Sequence, residues 1–75
     1  MEVRKMNIKE LREQHDMTQE DLAKKIGVQF PAVSKWERGI TYPLMDKVIA
    51  MAEVFGVSTD VVLGLQPVPD IRGTA

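Results

Sequence analysis

Residues 18–39 limit the fold most narrowly, because two strong helix signals there are separated by only three residues, Gly27-Val28-Gln29. Thr18 offers a hydroxyl to cap the first helix, and Glu20 and Asp21 fall in its opening turn, where acids suit the helix dipole. Leu22, Ala23 and Ile26 form the buried stripe, and Gly27 can adopt the left-handed conformation that stops a helix. A second helix starts near Phe30, tolerates Pro31 in its first turn and ends at Gly39. Helices joined so tightly cross steeply only if the first presents a small side chain at the contact, and Ala23 is that side chain. Leu22, Ile26, Val28, Val33 and Trp36 supply the shared apolar seam.

Similar punctuation runs through the rest of the chain. Asn7-Ile8-Lys9-Glu10 has the capping-box pattern, with Ile8 and Leu11 on one face of the helix that follows. Pro43 opens a helix with apolar positions 45, 48, 49, 52 and 55, which Gly56 closes. Ser58 caps a short last helix that Gly64 ends. Helices are thus expected at about 8–15, 19–26, 30–38, 44–55 and 59–63. No stretch alternates with a strand period, so the class is all-α, a five-helix bundle over residues 1–65. Gln66-Pro67-Val68-Pro69 cannot extend a helix, and residues 66–75 are expected to be a flexible C-terminal tail.

Seventy-five residues make one domain at most, so a single small core must carry all the stability. With no cysteine there is no disulfide frame, thiolate metal site or cysteine nucleophile. The longest apolar run, residues 48–52, is far short of the roughly 20 residues of a membrane span, and the N-terminus lacks a signal-peptide core. A cytoplasmic location without membrane contact is expected. His15 is the only histidine and is placed in a polar turn with no nucleophile beside it, and no glycine-rich phosphate loop occurs. Catalysis, metals and cofactors are therefore not expected.

Net charge is -1, but its distribution is uneven: +2 over residues 1–9, -4 over 10–21, +3 over 22–47 and -2 over 48–75. An acidic total argues against an indiscriminate polyanion binder. The basic middle segment coincides with the tight helix pair, whose seven seam and turn positions meet the helix-turn-helix requirement of DNA-binding proteins. Any DNA contact must therefore be local and oriented.

The run Met17 to Val28, then Val33-Ser34-Lys35-Trp36-Glu37-Arg38-Gly39 and Tyr42-Pro43, resembles the phage repressor/Cro-type helix-turn-helix family, the xenobiotic-response-element-like regulators. The likeness continues through Ala52 to Ser58 and Leu63-Gly64, so it covers about residues 6–65. It implies a lambda-repressor-like DNA-binding domain, acting as a homodimeric repressor on a palindromic operator in double-stranded DNA.

Helical geometry, at about 100° per residue, turns Val33, Trp36 and Glu37 inward and Pro31, Ser34, Lys35 and Arg38 outward. Lys35 can donate to guanine and Ser34 can pair with several base edges. Phe30 and Pro31 occupy base-reading places where the family commonly carries Gln, Ser, Arg or Lys. Two readings stand: Phe30 or Ala32 touches a thymine methyl, or Phe30 folds back into the core. Thr18 and Gln19 lie at a helix N-terminus suited to a phosphate, and the resemblance makes Gln19 the clamp. Gln29, Arg38, Thr41 and Lys47 are further backbone contacts, with Lys24 and Lys25 weaker candidates. Arg12 and Glu37 are assigned by the resemblance to a structural ion pair, and Thr59 and Val62 to the dimer contact. A protein partner is the alternative, if the chain is an antitoxin or adaptor on the same fold; its net acidity and apolar helix tip favour that reading.

Overall fold

Thr18 decides where the central helix begins. Its Oγ1 accepts from the Asp21 backbone N–H at 3.0 Å, while its own N–H donates to Asp21 Oδ2 at 3.0 Å, a reciprocal cap. The structure, a computed structural model, describes residues 5–69. In chain order the helices are α1 (Ile8–Gln14), α2 (Gln19–Ile26), α3 (Phe30–Glu37), α4 (Met45–Phe55) and α5 (Thr59–Leu63). Gly27 ends α2 at φ 76°, which lets the chain reverse into α3 within three residues. Arg38 caps α3 one residue earlier than expected, and Leu44 precedes α4 with no side-chain bond.

Every helix contributes to one core. Ile8 and Leu11 of α1, Leu22, Ala23 and Ile26 of α2, and Val33 and Trp36 of α3 meet the α4 residues Val48, Met51, Ala52 and Phe55. Val61 and Val62 of α5 close it from below. The α4 stripe is 48, 51, 52 and 55, so Met51 is inside whereas Met45 and Ile49 are exposed. Both lie to one side of the stripe's centre line at helical spacing, which the expected set of positions did not separate. No described helix is long and apolar enough to cross a membrane.

Three expectations change on folding. Asn7 makes no side-chain cap to α1; its Nδ2 donates to the carbonyls of Val61 at 2.9 Å and Gln66 at 3.0 Å. It adds a second hydrogen bond to the Val61 carbonyl, bonds the segment just beyond α5, and so ties the first helix to the last. His15 lies in the turn that ends α1, as expected, but its surroundings are not all polar: its Nδ1 lies 2.9 Å from the Leu11 carbonyl and its ring packs 5.2 Å from that of Phe55. Residues 66–69, expected to be mobile, lie back on the domain, with Val68 against the core and Gln14 Nε2 donating to the Pro69 carbonyl at 3.3 Å. The remainder of that tail, residues 70–75, lies outside the described residues.

Gly64 is the tightest point of this closure. Its φ is 83°, and a Cβ there would run into the Lys5 backbone carbonyl, whereas a Cβ on Gly27 would meet nothing. Gly27→Ala should therefore cost about 1–2 kcal/mol for the left-handed backbone alone. Gly64→Ala should cost clearly more in urea denaturation, because backbone must also move.

Candidate nucleic-acid interface

The site is built where the starts of α2 and α3 converge, over a buried ion pair. Arg12 reaches from α1 beneath both helices. Its Nε donates to Glu37 Oε2 at 2.7 Å, its Nη2 to Glu37 Oε1 at 3.1 Å and its Nη1 to the Met17 carbonyl at 2.8 Å. The two side chains are 11 % and 4 % exposed. Such a two-pronged contact is the geometry in which a guanidinium holds a carboxylate best. Glu37, hydrogen-bonded to it, raises the Arg12 guanidinium above its ordinary pKa, so the group is charged throughout the accessible range. The third helix end, the first helix and the loop before α2 are thus joined at one point.

Above that pair, α3 divides by face. Val33 and Trp36 are buried, whereas Pro31, Lys35 and Arg38 are exposed and Ser34 is half-buried. Phe30 is 45 % exposed, which excludes the reading in which its ring folds back as core. Phe30 separates two surface hollows. One is lined by Arg12, Met17, Thr18, Gln19, Glu20 and Phe30, and the other includes Asp21, Lys24, Val28 and Gln29. Thr18, Gln19, Gln29 and Phe30 are therefore brought together around these hollows, with Pro31, Ser34 and Lys35 following along the same helix.

Other residues are placed differently. Thr41 is exposed in the α3–α4 connection, beside the exposed Ile40 and Tyr42. Lys47 turns toward the protein: its Nζ donates to the Ile26 carbonyl at 3.3 Å and lies 3.9 Å from Asp46 Oδ2. That places a cation on the C-terminal end of α2, a favourable dipole contact, and commits one of its donors. Arg38 Nε reaches only back to the Ser34 carbonyl, at 3.4 Å. Val62 is fully buried, so it cannot form a subunit contact; Thr59 is half-buried. Val61 and Val62 are both buried, so this short helix turns both of its adjacent valines into the core.

One link escaped the sequence. Gln19 Nε2 donates to Glu37 Oε1 at 3.0 Å, so Glu37 holds α2 as well as α1. The residues are 18 apart, and only the crossing of α2 and α3 brings them together.

A helix-turn-helix family model matches residues 8–62, which is most of the chain and all of the five helices but the last residue of α5. The chain belongs to the Cro/C1-type helix-turn-helix family. This helix-turn-helix chain is 36 % identical over 63 residues to an uncharacterized HTH-type transcriptional regulator, YobD, of Bacillus subtilis, covering 84 % of this chain and 56 % of YobD. It is 38 % identical over 56 residues to the HTH-type transcriptional activator BcrR of Enterococcus faecalis, covering 75 % of this chain and 28 % of BcrR. It therefore spans about half or less of these relatives' lengths. Its fold matches that of the P22 c2 repressor in complex with a synthetic operator, with a TM-score of 0.73 at 32 % identity, over 77 % of this chain and 89 % of the repressor chain.

Two measurements check this construction. Arg12→Ala leaves Glu37 buried without its countercharge, held only by the Gln19 hydrogen bond, and should cost about 3–5 kcal/mol in chemical denaturation; an unchanged midpoint would show that the pair carries no stability. Asp21 is held below its usual pKa by the hydrogen bonds from the Thr18 backbone and hydroxyl. Its contribution is complete above the unfolded aspartate value of about 3.9 and is lost as pH falls through the lower folded value. Asp21→Asn should therefore lower the melting temperature at neutral pH and flatten the acid limb, the two profiles converging below the folded value.

Proposed function

We propose that this chain is a sequence-specific double-stranded DNA binder acting as a transcriptional repressor. The observation that carries the reading is the outward face of α3: Phe30, Pro31, Ser34 and Lys35 stand at the surface over a buried Val33 and Trp36. In the major groove, Lys35 donates to guanine O6 or N7, Ser34 pairs with a base edge, and Phe30 meets a thymine methyl. Thr18, Gln19 and Gln29 take phosphate oxygens at the helix starts, where unpaired backbone N–H groups favour an anion. Arg38 and Thr41 extend the backbone contact beyond the end of α3. Lys47 contributes chiefly through its field, since it is already engaged at the end of α2.

The kinship with the P22 c2 repressor, solved on a synthetic operator, supports this placement. Two copies about a twofold axis would read half-sites about 34 Å apart and so require a palindrome. With Val62 buried, the dimer contact falls instead to Thr59 and the exposed apolar residues Tyr42, Leu44, Met45 and Leu65. Leu44 is 74 % exposed, and what supports a contact there is that Tyr42 and Met45, close to it in the chain, are exposed as well.

Selection of duplexes from a random pool tests the reading. A palindromic consensus with thymine beneath the α3 tip is expected, and affinity should fall steeply with added salt. Lys35→Ala should relax preference at one base pair by about 1–3 kcal/mol while the melting temperature holds. Binding that is indifferent to salt, or a consensus unchanged by Lys35→Ala, would contradict it.

A further inference from the structure

Glu37 is engaged on two sides at once. Its Oε2 accepts from Arg12 Nε, and its Oε1 accepts from both Arg12 Nη2 at 3.1 Å and Gln19 Nε2 at 3.0 Å. A carboxylate only accepts, so the Gln19 carboxamide must present its NH2 group to Glu37 and cannot lie the other way round. This fixes the direction of the second N–H on Nε2 as well. Gln19 is the first residue of α2 and lines the open hollow shared with Thr18 and Phe30. An unrestrained glutamine would lose its rotamer freedom at the moment of binding, whereas one already held has lost it on folding. A carboxylate behind a phosphate contact would ordinarily repel the ligand. Here Arg12 bonds to both of its oxygens and cancels its charge, so Glu37 can hold the carboxamide without opposing an anion.

We propose that Glu37 is a positioning residue for the DNA backbone: through Oε1 it sets the Gln19 carboxamide with its second N–H directed at a phosphate. This rests on the DNA-binding reading above. With its side chain 4 % exposed, Glu37 cannot touch DNA itself, and its effect passes through Gln19. The buried ion pair and the outer contact then form one unit.

The test is a double-mutant cycle of Gln19→Ala, Glu37→Gln and both together, at a temperature where circular dichroism shows each folded. The probe is a random-sequence duplex of about 20 base pairs, roughly two helical turns. Each single substitution should weaken binding about tenfold, and the double should bind no more weakly than Gln19→Ala. A purely structural Glu37 would instead give independent losses that multiply, which would overturn the positioning role while leaving DNA binding intact. Failure of the unsubstituted protein to bind any duplex would overturn the DNA reading and this role together. If Glu37→Gln does not fold, side-chain 15N relaxation of the unsubstituted, DNA-free protein decides. The Gln19 carboxamide should be rigid, with an order parameter near about 0.8, and a value below about 0.6, as expected for exposed Gln29, would overturn the proposal.

Discussion

The contact between Arg12 and Glu37 organises everything above it. Three N–H groups of one guanidinium reach the end of α3 and the carbonyl just before α2, and the carboxylate they hold reaches Gln19 at the start of α2. Taking both charges out of water is expensive, and their attraction repays that cost only when the remaining donors and acceptors are also matched. Here they are: each carboxylate oxygen accepts at least one hydrogen bond. An apolar pair of the same volume could fill the space, but it could not bond the Met17 carbonyl or Gln19. What the ion pair adds is registry of three helices in a domain too small to rely on a large core.

Registry matters because α3 performs two jobs on opposite faces. Trp36 and Val33 set it in the common core, where α3 packs on α2 and α1, while Ser34 and Lys35, each adjacent to one of those anchors, face away. A rotation of α3 by one residue would bury the lysine and expose the tryptophan. The bond from Glu37 at one end and the Gly27 reversal at the other leave no freedom for that rotation. Phe30 stands at the junction, an exposed ring between two hollows, and gives the helix tip an apolar character that polar readers would not.

Local chemistry was legible in the chain. Thr18 and Ser58 bind the backbone they were expected to cap, and Gly27, Gly56 and Gly64 all take left-handed φ, because these features depend on a few adjacent residues. What depended on distant residues was not. Asn7 looks like a cap, whose side-chain oxygen would accept from α1, yet its Nδ2 donates instead to the Val61 carbonyl in α5, 54 residues away. Ile49 falls outside the core because neighbouring apolar residues satisfy a helical stripe almost equally well, and Val62, placed outward by the resemblance, is buried together with Val61. Lys47 appears free in sequence but finds the carbonyl of Ile26 once α2 and α4 meet. Within the candidate site the identities of the outward residues of α3 could be read, whereas the hydrogen bond linking Gln19 to Glu37 required the crossing of two helices.

The most direct measurement is the change in backbone amide chemical shifts when duplex DNA is added to the labelled protein. The largest changes should fall on residues 18–20 and along α3 from Phe30 to Arg38, continuing to Thr41, with α1 and the buried face of α4 little altered. Changes centred instead on α5 and the outer side of α4, with α3 unmoved, would contradict α3 as the helix that meets DNA.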